Sequence, residues 1–307
     1  MNTALLIERM SSYEQLPHYL SSEHLHHILK DALEEDVGLG DITSQTLLSP
    51  DIQGQATLVM REKGVIAGLT LARDTFHLVD PVIKCHWSYN DGKSVAADTT
   101  IGTISGPLQS ILTAERLALN LLQRMSGIAT ATAKMVASVK EFSVRIRDTR
   151  KTVPGLRVLD KWAVRIGGGS NHRIGLYDRI LIKDNHIQVV GNITECVKRA
   201  AKTKPGYPID IEARTIQEVN EALEVAALID VLLLDNMATY QSDGTFDCSP
   251  LIQAVKHIDG RIKTEATGGI TLKTAPLIAA TGVDYISCGF LTHSVQAIDI
   301  ALDVNPL

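Results

Sequence analysis

Short apolar runs alternate with amphipathic stretches through the second half of the chain, and this alternation restricts the possible folds more than any other feature. Helical periodicity covers residues 216–227, 251–258 and 272–280. The strand candidates are residues 144–147, 179–183, 209–213, 231–235, 262–265 and 285–288. Repeated βα units form a parallel sheet, and right-handed crossovers allow such a sheet to curl into a barrel. We therefore expect an incomplete α/β barrel of six or seven strands.

The first half of the chain has a different pattern. Between residues 55 and 106, short apolar runs flank turns such as Asn90-Asp91-Gly92, which is typical of a small α+β domain. A helix is expected at residues 25–35, and Leu117, Leu121 and Met125 recur at the spacing of a longer one. We expect an N-terminal arm over residues 1–24, the α+β domain over 25–130 and the barrel over 131–290. A final helix near residues 294–302, within segment 291–307, either closes the barrel or packs on the first domain.

Composition indicates a globular protein. The chain has 307 residues, of which 45% are apolar, enough for a core in one large or two modest domains. No apolar run approaches the roughly 20 residues of a membrane helix, and no targeting segment is recognisable. The four cysteines lie far apart without a C-x-x-C pair, which argues against a zinc knuckle or a disulfide framework. We expect a cytoplasmic protein with no membrane partner.

The charge is unevenly distributed along the chain. The net charge is −5, yet residues 145–183 contain ten lysines and arginines against three acidic residues. A chain that is acidic outside one short basic stretch is a poor nucleic-acid binder, because affinity for a phosphate backbone grows with the number of phosphates neutralised. The basic stretch also lacks the interleaved aromatic residues that would stack on bases. A small polyanion bound in a pocket fits this pattern better.

Charged residues stand at most of the predicted strand ends. In parallel α/β barrels the functional groups lie at the carboxyl ends of the strands. We expect these charges to converge on a ligand, because an unpaired buried charge is strongly destabilising. A ring of structural salt bridges is the alternative. The charged strand-end residues are Arg147, Lys183, Glu212, Asp235 and Glu265.

Three kinds of binding group are recognisable near these ends. Glu212 and Asp235 suit Mg²⁺, which is usually held by one or two carboxylates together with substrate phosphates. Arginines beyond the first strand match planar carboxylates. The segment Thr267-Gly268-Gly269 is expected to open a helix whose N–H groups hold a phosphate, with Gly289 allowing a similarly close approach. A metal site at the N-terminal histidines 24, 26 and 27 is disfavoured, because adjacent helical side chains point in different directions.

Long motifs give the chain a resemblance to the quinolinate phosphoribosyltransferase family. They follow the family's order over nearly the whole chain after the N-terminal arm. The motifs are GDITSQTLL near Asp41, ERLALNLLQRMSGIAT from Glu115, DTRKTVPGLR from Asp148, GGGSNHRIGLYDRILIKDNHI from Gly167, IDIEA at Glu212, LLLDNM at Asp235, TEATGG at Glu265 and YISCGFLTHSVQAIDIAL from Tyr285. The resemblance implies an N-terminal α+β domain, an incomplete barrel, and a homodimer or higher oligomer with shared active sites.

The resemblance also implies a role for particular residues. The quinolinate carboxylates would be surrounded by Arg150, His172, Arg173 and Lys183, with Arg116 reaching in from the partner subunit. Magnesium pyrophosphate and the ribose would be handled by the catalytic residues Lys151, Glu212 and Asp235. The ribose 5-phosphate would be held by Thr267, Gly268, Gly289 and His293. The chain departs from many relatives at Arg214, where they have a second glutamate, and at Thr267-Gly268-Gly269, where they have Ser-Gly-Asn.

The implied reaction condenses quinolinate with phosphoribosyl pyrophosphate and yields nicotinate mononucleotide, pyrophosphate and carbon dioxide, a step of NAD biosynthesis. Two alternatives remain open at this point. One is a transferase of the same fold that takes nicotinate or another anionic ring and does not decarboxylate. The other is a barrel that binds a phosphorylated metabolite without catalysis. A metal-dependent hydrolase is disfavoured because no H-x-H or HExxH spacing lies at a strand end.

Overall fold

The structure, a computed structural model, describes residues 16–306, so the first fifteen residues of the expected N-terminal arm lie outside the described part of the chain. The helices are α1 (Ser22–Val37), α2 (Ile42–Leu47), α3 (Leu69–Val79), α4 (Leu108–Ser138), α5 (Arg157–Ile166), α6 (Asp184–Val190), α7 (Ile193–Thr203), α8 (Ile216–Leu223), α9 (Ser249–Ile258), α10 (Ala275–Ala279) and α11 (Phe290–His293). A 3₁₀ turn covers Ala226–Leu228.

The strands are β1 (Gln53–Met60), β2 (Gly64–Val65), β3 (Lys84–Trp87), β4 (Ser94–Val95), β5 (Thr99–Pro107), β6 (Arg145–Arg147), β7 (Ile180–Ile182), β8 (Ile209–Ala213), β9 (Val231–Asp235), β10 (Thr239–Tyr240), β11 (Phe246–Asp247), β12 (Lys263–Thr267), β13 (Tyr285–Ser287) and β14 (Ile300–Pro306). None of the helices in the described range is both long and apolar enough to cross a membrane.

The described chain divides into two compact units. The first unit contains the described residues up to Ala131, the segment Val153–Gly168 and the described residues from Val295 onward. The second contains Thr132–Thr152 and Gly169–Ser294. Helix α5 therefore belongs to the first unit although it lies between two strands of the second.

The first unit is built on an antiparallel sheet in the order β14-β1-β5-β3. Strand β1 lies at its centre, and its alternating residues Ala56, Leu58 and Met60 are buried. They pack in one apolar core with the amino-terminal half of α4, where Ile111 and Leu122 are completely buried. A helix packed on one face of an antiparallel sheet confirms the expected α+β arrangement.

The final helix predicted at residues 294–302 is wrong, because residues 294–299 form neither helix nor strand and residues 300–306 form a strand. Strand β14 pairs antiparallel with β1, from Gly54 opposite Pro306 to Met60 opposite Ile300. Its sequence IALDVNP places Ile300, Leu302 and Val304 on one face, and these side chains pack against the core of the first unit. A period of two is the pattern of a half-buried strand, and the free edge of β1 supplies its hydrogen bonds.

The second unit contains a six-stranded parallel sheet in the order β6-β13-β12-β9-β8-β7. All six predicted strands are present, with ends that shift by at most two residues. Under the strand ends, Leu181, Val231 and Leu233 form an apolar cluster with Tyr285 against it. Side chains alternate along a strand, so those that face inward lie in successive layers. The layer that follows this apolar cluster, nearer the carboxyl ends of the strands, is available for polar groups.

Two predicted helices of the second unit have different limits. The stretch 216–227 is α8 followed by the separate 3₁₀ turn. The helix expected at 272–280 begins only at Ala275, which is α10. The hydroxyl of Thr274 accepts the N–H of Thr271 at 2.9 Å, and the hydroxyl of Thr271 accepts the N–H of Thr274 at 3.3 Å. Such local side-chain bonds compete with the first turn of a helix.

Candidate active site

One cavity of about 980 Å³ opens at the carboxyl ends of the parallel strands in the second unit. Of the twelve site residues expected from the sequence, eleven line it: Arg150, Lys151, His172, Arg173, Lys183, Glu212, Asp235, Thr267, Gly268, Gly289 and His293. The twelfth, Arg116, lies on α4 in the first unit and is not among the lining residues. Its side chain is 59% exposed, and its nearest acidic group is Glu115 at 3.8 Å.

Two arginines, Arg150 and Arg173, form the cationic side of the cavity. Arg173 is 8% exposed, and its guanidinium donates to the carbonyl of Arg179 at 3.2 Å. Burial, together with the neighbouring charge of Arg150, lowers the pKa of Arg173. The Nε atoms of both Arg150 and Arg173 are buried without a hydrogen-bond partner. Because buried donors are normally paired, these two groups indicate a site for an anion.

The loop that carries His172 is fixed by a buried carboxylate. Asp148 is fully buried and accepts the His172 N–H at 2.8 Å and the side-chain amide of Asn171 at 2.6 Å. The Nδ1 atom of His172 accepts the N–H of Arg173 at 2.8 Å. The neutral ring therefore carries its proton on Nε2, which lies 3.6 Å from the carboxylate of Glu265.

Two of the charged strand-end residues do not line the cavity. Arg147 donates to the fully buried Glu265 at 2.7 Å, and the Ser287 hydroxyl donates to the same carboxylate at 2.5 Å. The Arg147 guanidinium also stacks on the ring of Tyr285, 3.4 Å from its centroid. Here the structure corrects the expectation that all strand-end charges face a ligand. This pair is a structural salt bridge, while the other strand-end charges lie in the cavity.

Carboxylates on β8 and β9 form the acidic side. Glu212 pairs with Lys183. Asp235 accepts from Nε of Arg214 at 2.9 Å, and the same guanidinium lies 2.9 Å from Asp184. The Asp235 contact raises the pKa of Arg214. The pKa of Asp184 is lowered, first by the N–H of Asn185 and also by Arg214.

Glycines shape the end of the cavity between β12 and β13. Gly268 has φ +101°, and the Asn236 side chain occupies the space that a Cβ atom would need. A Cβ on Gly289 would lie 3.0 Å from Lys151 and 3.1 Å from His293. Helix α10 starts too far along the chain and is too short to supply the amino-terminal dipole expected there. A phosphate in this region would be bound by the loop itself.

Several cavity residues were missed in the sequence. Asp184 and Asn236 directly follow Lys183 and Asp235, so their position beside a charged strand end was the signal that could have identified them. Asn236 has φ +56°, and its N–H bonds to the carbonyl of Thr267 at 2.9 Å, which holds the β9 and β12 ends together. Arg214 was noted only as a departure from relatives, and its two ion pairs depend on residues distant in the sequence.

The carboxylates of Glu212 and Asp235 determine how a metal ion could be bound in the cavity. Within residues 16–306, no group of three or more histidine, cysteine, aspartate or glutamate side chains is arranged to hold one. Glu212 and Asp235 are hard oxygen donors that suit Mg²⁺, but each is already ion-paired. The residues therefore fit a Mg²⁺ whose other ligands come from a substrate phosphate and water.

Comparison with known proteins agrees with this geometry. The family model for the quinolinate phosphoribosyl transferase C-terminal domain matches residues 128–303, and the model for the N-terminal domain matches residues 41–126. The chain is 45% identical over 287 residues to the nicotinate-nucleotide pyrophosphorylase (carboxylating), chloroplastic, of Oryza sativa, covering 91% of this chain and 77% of the relative. It is 43% identical over 306 residues to quinolinate phosphoribosyltransferase (decarboxylating) 2b, mitochondrial, of Nicotiana tabacum, covering 97% and 87%.

Solved structures give the same result. The crystal structure of NadC from Streptococcus pyogenes superposes with a TM-score of 0.86 at 34% identity, covering 94% of this chain and 99% of that one. The human nicotinic acid phosphoribosyltransferase shares only the fold, with a TM-score of 0.58 at 12% identity, covering 87% of this chain and 74% of that one. With both domain models matched in order and relatives above 40% identity over most of their length, this chain belongs to the quinolinate phosphoribosyltransferase family.

Proposed function

We propose that this protein transfers the phosphoribosyl group of phosphoribosyl pyrophosphate to quinolinate, with loss of carbon dioxide, to make nicotinate mononucleotide and pyrophosphate for NAD biosynthesis. The observation that carries the proposal is a single cavity lined by two arginines with buried, unpaired Nε atoms and by the carboxylates Glu212 and Asp235. The relatives from rice and tobacco are named for the carboxylating or decarboxylating reaction, which favours it over the alternative that acts on nicotinate.

The cationic side suits quinolinate, a planar dianion. Arg150 and Arg173 offer desolvated guanidinium donors, and each can bind a carboxylate through two parallel hydrogen bonds. His172 and Lys183 line the same cavity. These groups would hold the pyridine ring with its nitrogen towards the ribose, and this positioning replaces a bimolecular encounter by an oriented one.

The opposite side suits phosphoribosyl pyrophosphate. Thr267, Gly268, Gly289 and His293 would bind the 5-phosphate, because they line the cavity together at the carboxyl ends of β12 and β13. Lys151, Glu212 and Asp235 would face the ribose and the pyrophosphate. Magnesium would be held by Glu212 and Asp235 together with the pyrophosphate, where it would neutralise charge on the leaving group.

The reaction follows from charge development at the ribose. When the bond from the anomeric carbon to pyrophosphate breaks, the ribose ring becomes positive, and the carboxylates of Glu212 and Asp235 stabilise that charge. Lys151 stabilises the negative charge on the departing pyrophosphate. The pyridine nitrogen then bonds to the anomeric carbon. The resulting pyridinium accepts the electron pair of the breaking carbon–carboxylate bond, carbon dioxide leaves, and a proton takes its place on the ring.

Arg116 and the subunit arrangement belong to the same proposal. The exposed Arg116 would complete the quinolinate site from a second copy of the chain in a homodimer, or in a higher oligomer that contains it. The cytoplasmic location also stays a prediction, since relatives are named as chloroplastic and mitochondrial.

The test measures both products of the transfer. Purified protein with phosphoribosyl pyrophosphate and carboxyl-labelled quinolinate should release labelled carbon dioxide and pyrophosphate in equal amounts, and chelation of Mg²⁺ should suppress both. Nicotinate in place of quinolinate should give no pyrophosphate. Turnover of nicotinate without quinolinate decarboxylation would instead support the alternative transferase, and binding without any pyrophosphate release would support a non-catalytic barrel.

A further inference from the structure

Arg214 lies on the rim of the cavity at the carboxyl end of β8 and has no role in the site described so far. Its side chain is 49% exposed and bridges two carboxylates from different elements, Asp235 on β9 and Asp184 on α6. The bridge uses Nε towards Asp235 and one terminal nitrogen towards Asp184. Since a guanidinium has five N–H donors, further donors stay available at the rim.

This arrangement changes what the acidic side can bind in the absence of substrate. Asp235 is paired with Arg214, and Glu212 is paired with Lys183. A free divalent cation would have to displace the Arg214 or Lys183 side chain from its carboxylate and would then lie close to that positive charge. In the substrate-free protein these carboxylates therefore form a poor cation site, although their oxygens are of the right type.

A bound polyanion can replace the carboxylate as the partner of Arg214. Pyrophosphate presents several oxygens to which arginine can donate in its fork geometry, and an exposed side chain can turn from a carboxylate to a phosphate with little loss of packing. We propose that Arg214 binds the pyrophosphate of phosphoribosyl pyrophosphate, exchanging the Asp235 carboxylate for it, so that Asp235 is freed only when this substrate enters. This inference rests on the proposed function and adds a residue to its leaving-group site.

The test uses two measurements that should move in opposite directions. Arg214→Gln should lower the affinity for phosphoribosyl pyrophosphate by roughly 10- to 100-fold, the effect of losing one or two charge-assisted hydrogen bonds. The same variant, without substrate, should bind Mn²⁺ more tightly than wild type by about 10-fold, because Asp235 is then unpaired. Electron paramagnetic resonance titration of free Mn²⁺ gives the second value without any turnover.

Controls separate this role from a structural one. Arg214→Lys keeps one charge and should restore part of the substrate affinity while keeping Mn²⁺ binding weak. Arg199→Gln removes an arginine from another exposed ion pair, with Glu195 at 3.1 Å, and should leave both affinities unchanged. If Arg214 only connects strand ends, Arg214→Gln should weaken Mn²⁺ and substrate binding together or change neither. Either result overturns the inference.

Failure of the inference differs from failure of the proposed function. Calorimetric binding of phosphoribosyl pyrophosphate can be measured without quinolinate. A wild-type protein that releases carbon dioxide from quinolinate, but whose affinity for phosphoribosyl pyrophosphate is unaffected by Arg214→Gln, refutes only the role of Arg214. A protein that binds phosphoribosyl pyrophosphate through Arg214, with the Mn²⁺ effect above, but does not decarboxylate quinolinate refutes only the proposed reaction.

Discussion

Replacement of Arg173 by methionine removes a buried cation from the proposed quinolinate site while keeping most of the side-chain volume. In the structure its guanidinium has a hydrogen bond to the Arg179 carbonyl, a buried Nε without a partner, and a neighbouring positive charge at Arg150. A carboxylate bound by this fork would gain two charge-assisted hydrogen bonds. Their loss should weaken quinolinate binding by about 3 kcal/mol, which is about 100-fold.

The unliganded protein should respond differently. The substitution loses one hydrogen bond, worth about 1 kcal/mol, but removes a desolvated charge from beside another cation. The free energy of unfolding should therefore change by no more than about 1 kcal/mol in either direction. A large loss of quinolinate affinity without a loss of stability would indicate that Arg173 binds the substrate and does not stabilise the fold.

The KM values are measured by steady-state kinetics with each substrate varied in turn, and the free energy of unfolding is measured by urea titration. The KM for quinolinate should rise about 100-fold, while the KM for phosphoribosyl pyrophosphate should stay within about 3-fold, a difference below 1 kcal/mol. Arg199→Met, at an exposed ion pair, is the matched control. An equal rise in both KM values, or a loss of stability that accounts for the activity, would refute the division of the cavity into two sides.

Three further perturbations test other parts of the structure. Asp235→Asn should raise the KM for phosphoribosyl pyrophosphate at least about 10-fold with little change for quinolinate, as one charged hydrogen bond is lost; the reverse preference would contradict its placement. Gly268→Ala should lower the free energy of unfolding by roughly 1–3 kcal/mol, because φ is +101° and Asn236 fills the space, and thermal unfolding checks this. Burial raises the pKa of Asp210 to about 6, so the folded protein takes up this proton before the unfolded chain does. Relative to Asp210→Asn, wild type should therefore gain stability as the pH falls from about 7 to about 4 in urea titrations, and a loss over that range would contradict the burial argument.

Much of the second unit was predictable from local patterns. Its six strands alternate with helical stretches, and several of them, such as β7 (ILI) and β9 (VLLLD), are short apolar runs whose period and length are properties of the sequence itself. The rule that function lies at the carboxyl ends of parallel strands then selected Lys183, Glu212 and Asp235, which line one cavity. Prediction worked where a local signal and a general rule of the fold were sufficient.

The rest depends on which residues meet in space. Nothing near Arg147 in the sequence shows that it pairs with Glu265 and stacks on Tyr285 instead of lining the cavity. Arg214 likewise pairs with carboxylates from two other segments. The helix predicted at residues 294–302 runs into strand β14, which could not be recognised locally because β14 is hydrogen-bonded to β1, more than two hundred residues earlier. Non-local pairing overrides local propensity in such segments.

The position of β14 has a consequence for biosynthesis. Strand β1 lies between β5, which leaves the ribosome soon after it, and β14, which contains residues 300–306. During translation one edge of β1 thus stays without its partner while the entire second unit is being synthesised. An unpaired edge can pair with other chains, so nascent chains should be vulnerable to aggregation until residues 300–306 emerge from the ribosome. A chain that stopped before residue 300 would keep all the residues that line the cavity and still expose that edge.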